Sequence, residues 1–87
     1  MVNRTTELTG PMPRYFFDYR HDGNLARDEV GTSMDSLEEA KVEALEALAE
    51  LAGELPGLLR HQLSIEVRDA DVPLLNVVMT INVKQFV

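Results

Sequence analysis

Residues 36–55 read S-L-E-E-A-K-V-E-A-L-E-A-L-A-E-L-A-G-E-L, and their period decides the fold. At 100° per residue, Leu37, Ala40, Ala44, Ala47, Leu48, Leu51 and Leu55 fall within one stripe. Glu39, Glu43, Glu46, Glu50 and Glu54 lie on the opposite side, with a weaker apolar flank of Val42, Leu45 and Ala49 in between. Alanine and leucine are strong helix formers. Ser36 followed three residues later by Glu39 is a capping box, with Asp35 as a competing N-cap. Gly53 weakens the last turn, and Pro56-Gly57 stops the element. The spacing predicts one long helix with a single apolar side, which a sheet must cover.

The segments on either side supply that sheet. Residues 14–20, R-Y-F-F-D-Y-R, alternate: Tyr15, Phe17 and Tyr19 point one way, Phe16, Asp18 and Arg20 the other. Their aromatic density suits a strand, and Asp22-Gly23 marks a hairpin turn. A two-residue loop would pair Tyr19 with Ala26 and Phe17 with Asp28. A three-residue loop over residues 21–23 would pair Tyr19 with Leu25 and Phe17 with Arg27. The second is expected, because it turns Leu25 to the aromatic face, and a one-residue slip would send that side chain to solvent. Residues 28–36 read as a loop in which Gly31 takes a conformation closed to other residues.

After the helix, residues 62–69 alternate Leu63, Ile65 and Val67 against Ser64, Glu66 and Arg68. A turn in D-A-D-V-P, residues 69–73, leads to the longest strand, residues 74–83. Its regular face carries Leu75, Val77, Met79, Ile81 and Val83; the other carries Leu74, Asn76, Val78, Thr80 and Asn82. The expected fold is therefore α+β, in the order ββαββ, a four-stranded antiparallel sheet with one long helix packed on one face. Residues 12–87 are expected to form this single domain. Residues 1–11, polar and ending in Gly10-Pro11, are expected to be a disordered extension.

Composition narrows the chemistry. There is no cysteine, which excludes a disulfide framework, a thiolate metal site and a cysteine nucleophile, and suits a reducing, cytoplasmic setting. A net charge of −7 repels phosphate backbones, so no nucleic-acid partner is expected. No apolar run approaches the roughly 18 residues that span a bilayer, so no membrane partner is expected.

No G-x-S-x-G, phosphate-binding loop, H-E-x-x-H or dinucleotide glycine pattern occurs. His21-Asp22 and Asp28-Glu29 would make an acid/base or metal cluster only if they met, yet the hairpin holds them roughly 15 Å apart. His61 has no second ligand at useful spacing. The protein is therefore expected not to be an enzyme, with no catalytic residue, metal, cofactor or evident small-molecule substrate.

Two surfaces remain as candidates for partner binding. One is the helix ridge of Glu39, Glu43, Glu46, Glu50 and Glu54, suited to a basic protein. The other is the outer sheet face, where Phe16, Val78 and Leu74 would form an apolar patch if their strands are neighbours. Edge pairing of the long last strand offers a route to a homodimer. Phe86 and Val87 have no evident place and would cap the core or reach a neighbouring molecule. The expected function is a non-enzymatic protein-interaction or self-association module.

The opening M-P-R-Y-F-F at residues 12–17, the turn Asp22-Gly23, the D-E-x-G of residues 28–31 and the helix opening L-E-E-A at residues 37–40 resemble a family of short bacterial proteins, mainly α-proteobacterial, known as domain of unknown function 6894. The resemblance covers about residues 12–83. It implies this fold and a bacterial cytoplasmic origin, but no activity and no catalytic residue. Family members carry a D-x-x-G turn between the last two strands, and D-A-D-V-P departs from that pattern. The hairpin, acidic loop and E-E-A helix are also similar in topology to the antitoxin half of the HicAB type. That similarity implies an alternative, an antitoxin-like regulator that neutralises a small basic partner protein.

Overall fold

The computed structural model describes residues 12–54 and 60–87. The expected extension over residues 1–11, Leu55 of the helix stripe and the side chain of His61 lie outside the described residues. The elements are β1 (Arg14–His21), β2 (Asn24–Ala26), β3 (Thr32–Ser33), α1 (Leu37–Gly53), β4 (Arg60–Arg68) and β5 (Pro73–Asn82). Every pairing is antiparallel, and the order across the sheet is β2-β1-β4-β5, with β3 also pairing along β1. The α+β expectation holds: one helix and one antiparallel sheet. It needs a fifth, two-residue strand, because the loop of residues 28–36 returns to β1 at Thr32.

The helix begins as its sequence requires. The Ser36 hydroxyl accepts from the Glu39 N–H at 3.2 Å, which settles the N-cap in favour of Ser36 over Asp35. The Glu39 carboxylate accepts from the Asp35 N–H at 3.1 Å, one residue before the usual capping-box donor. Ala40, Ala44 and Leu48 are fully buried against Tyr15, Leu63, Ile65 and Val67. Phe17, Tyr19, Leu37, Ala47, Leu75, Val77, Met79 and Ile81 are partly buried around that centre. The facing read from the alternation is therefore right for the three long strands: odd-numbered residues of β1, β4 and β5 meet the helix.

The first hairpin differs from expectation. Tyr19 pairs with Ala26, Arg20 with Leu25 and His21 with Asn24, so the loop has two residues, not three. Asp22 and Gly23 both have positive φ, 49° and 92°. Positive φ at both central positions makes the turn whose twist matches that of the flanking strands. Asp22 also extends the ladder past β1: its N–H donates to the Gln62 carbonyl at 3.1 Å, and its carboxylate accepts from the Gln62 N–H at 3.0 Å. Turn geometry outweighs the burial of one side chain, and Leu25 is left on the outer face, 51% exposed.

At the other hairpin Asp69 organises the turn. Its carboxylate accepts from the Asp71 and Val72 N–H groups at 2.8 and 2.7 Å. The register then shifts between Val67 and Arg68, with Val67 opposite Leu75 and Arg68 opposite Pro73, so Leu74 is the extra residue of a β-bulge. Phe86, 90% exposed, and Val87 do not cap the core.

Candidate functional site

The helix covers one face of the sheet, so candidate surfaces lie on the other face and at the sheet's edges. On the outer face the alternation places Phe16 and Asp18 of β1 beside Arg68 and Glu66 of β4. Asp18 is 5% exposed and Arg68 7%. The Arg68 guanidinium donates to the Asp18 carboxylate from Nε at 2.7 Å and from Nη2 at 3.4 Å. Nη2 also donates to the Asp28 carbonyl at 2.8 Å, and Nη1 to the Asp69 carbonyl at 3.3 Å. The guanidinium carbon lies 4.6 Å from the centre of the Phe16 ring, a cation–π contact.

Asp28 completes this network from the loop. Its carboxylate accepts from the Phe17, Val30 and Gly31 N–H groups at 3.0–3.1 Å, and its own N–H donates to Asp18 at 2.9 Å. The edge strand breaks after Ala26 and resumes at Thr32, and Asp28 fills the gap in the ladder. Gly31 closes the loop at φ +77°, where a Cβ would lie 2.8 Å from Phe16 Cε2 and 2.9 Å from Arg14 Cγ. Arg14 Nη1 donates to the Val30 carbonyl at 3.0 Å.

The electrostatics follow from these contacts. Burial raises the pKa of both carboxyls, Asp18 and Asp28, but donated hydrogen bonds outweigh it. Arg68 and the Asp28 N–H hold Asp18 below its ordinary value; the Gly31, Phe17 and Val30 N–H groups do the same for Asp28. The hydrogen bond to Asp18 raises Arg68 further. A carboxylate saturated in this way is a poor proton acceptor at neutral pH, and the arrangement acts as a staple between loop, β1 and β4. Sequence reading missed it. Asp18 and Arg68 are 50 residues apart, and each looks like an ordinary solvent-side residue of an alternating strand. The only local signal was the D-E-x-G loop, whose Asp and Gly both belong to the network.

Above the staple lies a shallow groove of about 230 Å³. Asp18, Arg20, Leu25, Ser64, Glu66 and Val78 are among the residues that line it. The expected apolar patch does not form. β4 separates the strands of Phe16 and Val78, and the row of Asp18, Glu66 and Asn76 lies between them. Phe16 is half-buried under Arg68, while Val78 is 52% exposed and Leu74 39%.

Glu39, Glu43, Glu46 and Glu50 on α1 and Glu54 at its C-cap are all exposed, and Lys41 pairs with Glu38 at 3.0 Å. His21 pairs with Asp22 at 3.2 Å at the hairpin tip, away from Asp28. Among the described residues, no group of three His, Asp or Glu side chains is placed to hold a metal ion. Nor is any helix among them long and apolar enough to cross a membrane.

The remaining surface is an edge. Among the described residues, β5 pairs with β4 and nothing else. Because the Asp22 N–H donates to the Gln62 carbonyl, even-numbered residues of β4 turn their peptide groups toward β1. Leu63, Ile65 and Val67 therefore bond to Met79, Val77 and Leu75 on β5. Asn76, Val78 and Thr80 are left with N–H and C=O groups directed at the open edge.

One helix on one face of an antiparallel sheet, with the second face stapled by buried charges and uncovered by any of the described residues, defines a small α+β domain. Residues 14–80 match the model of the domain of unknown function (DUF6894), and the chain belongs to that family. No curated protein and no solved structure matches it. The R-Y-F-F run and the D-E-V-G loop that carry the family resemblance are partners in the Asp18–Arg68–Asp28 staple.

Proposed function

We propose that the protein is a non-enzymatic interaction module that accepts a partner strand along the open edge of β5. The observation that carries this reading is the edge itself: ten residues, Pro73–Asn82, without one charged side chain. Soluble sheets ordinarily blunt such edges with lysines, inward charges or very short strands. Here Pro73 and the bulge at Leu74 blunt only the first turn, and Asn76, Val78 and Thr80 still present a row of donors and acceptors for strand addition. The saturation of Asp18 and Asp28 supports a binding role over a catalytic one. Hydrogen exchange tests the reading. The amides of Asn76, Val78 and Thr80 should be protected in concentrated protein or in native lysate. Free exchange of all three under both conditions would remove the proposal.

The exposed glutamates of α1 support a second reading, in which a small basic protein docks on the ridge, as an antitoxin-like regulator would require. Its affinity should fall steeply with ionic strength and in the variant Glu43→Gln/Glu46→Gln/Glu50→Gln. Wild-type binding by that variant would exclude the ridge.

A further inference from the structure

We infer that the strand added to β5 is β5 of a second copy, running antiparallel about a two-fold axis through Val78. This rests on the edge-docking reading above and names its partner. Three observations converge on it.

The first is facing. Leu75, Val77, Met79 and Ile81 turn toward the helix side and are only partly buried, as residues at an unfinished sheet edge must be. Directly opposed residues of an antiparallel pair lie on the same face. A continuous helix-side layer therefore requires odd-numbered residues opposite odd-numbered ones, which places the two-fold axis on a residue and not between two. With Val78 opposite itself, Leu75 meets Ile81 and Val77 meets Met79 of the second copy. All four helix-side residues then gain an apolar partner. On the outer face Asn76 meets Thr80.

The second is hydrogen bonding. Asn76, Val78 and Thr80 are the residues whose peptide groups point outward, and this register opposes them to one another. They exchange about six main-chain hydrogen bonds, and Pro73, which has no N–H, falls outside the paired stretch.

The third is charge. Each copy carries −7, so two copies can meet only where carboxylates are not opposed. Pro73–Asn82 is such a stretch. The interface is isologous and closes at two copies.

The chain has no cysteine, so an introduced thiol reports the register alone. Val78 is half exposed, and Val78→Cys should fold as wild type. The two Val78 Cα atoms should lie about 5.5 Å apart, within disulfide reach. The two Thr80 Cα atoms should lie roughly 14 Å apart. Under mild oxidation Val78→Cys should therefore cross-link to a covalent dimer, and Thr80→Cys should not. Sedimentation should show a wild-type dimer, and Val78→Lys, which sets two like charges on the axis, should raise its dissociation constant about tenfold while keeping the monomer's melting temperature.

Cross-linking of Thr80→Cys as fast as Val78→Cys would overturn the register. A wild-type monomer at millimolar concentration would overturn self-pairing. If the edge amides of that monomer were protected in native lysate, β5 would still be a docking strand for another protein. If they exchanged freely, the edge-docking reading would fall as well.

Discussion

Gly31 is held by two constraints that act together. Its φ of +77° is open to glycine at no cost, and a Cβ there would lie under 3 Å from the Phe16 ring and the Arg14 side chain. Gly31→Ala should therefore lower stability by about 2 kcal/mol or more, because the backbone penalty and the displaced aromatic add. Urea unfolding measures this, and a neutral result would mean the loop does not press on Phe16. The neighbouring Phe16 shows how a single side chain changes meaning. Alternation alone makes it an outward-facing residue free for contact. In the fold its ring lies between Gly31 and the Arg68 guanidinium, so it packs the staple.

Among the elements, α1 was the most legible, because a 3.6-residue period, a capping box and a Pro-Gly stop agree. Its glutamate ridge also has an energetic consequence. Glu39 and Glu43, Glu46 and Glu50, and Glu50 and Glu54 are like-charge pairs at i,i+4, each destabilising by about 0.2–0.5 kcal/mol. The triple Gln variant that tests the ridge should thus melt no lower than wild type, so a loss of basic-partner binding could not be attributed to unfolding. The edge strand beside β1 was the least legible element. It is interrupted between Ala26 and Thr32, and an aspartate side chain stands in for the missing backbone partner. No periodicity announces that substitution, because it depends on β1 and the loop lying side by side. The hairpin register departs from the alternation for a related reason: Asp22-Gly23 sets its own turn geometry, which outweighs the burial of Leu25.

At the scale of the whole molecule, charge and the paired aspartates oppose each other as pH falls. Lowering the pH from neutral toward the pI of about 4.6 relieves the self-repulsion of the −7 charge and should raise stability slightly. Asp18, Asp28 and Asp69 are held below their ordinary pKa in the folded state, against about 3.9 unfolded. Below about pH 4 the unfolded chain takes up protons that the folded chain refuses, so stability falls as pH drops through the folded values. Denaturant midpoints should peak near about pH 5 and fall steeply below about pH 4. The fall should be shallower in Asp18→Asn, which should also be less stable at neutral pH because Arg68 loses its buried partner. An equally steep acid limb in Asp18→Asn would show that the staple does not control acid unfolding.

The sequence by itself determined the helix, the facings of the three long strands and the α+β class, because each is written in residues close together in the chain. Period, capping and turn chemistry are local and act before distant segments meet. Only the tertiary structure decided that Asp18, Asp28 and Arg68 share one buried network, that β4 separates Phe16 from Val78, and that β5 is the last strand of the sheet among the described residues. Those outcomes depend on strand order and register over separations of up to 50 residues. They are set by which backbone edges find partners, and no local pattern encodes that.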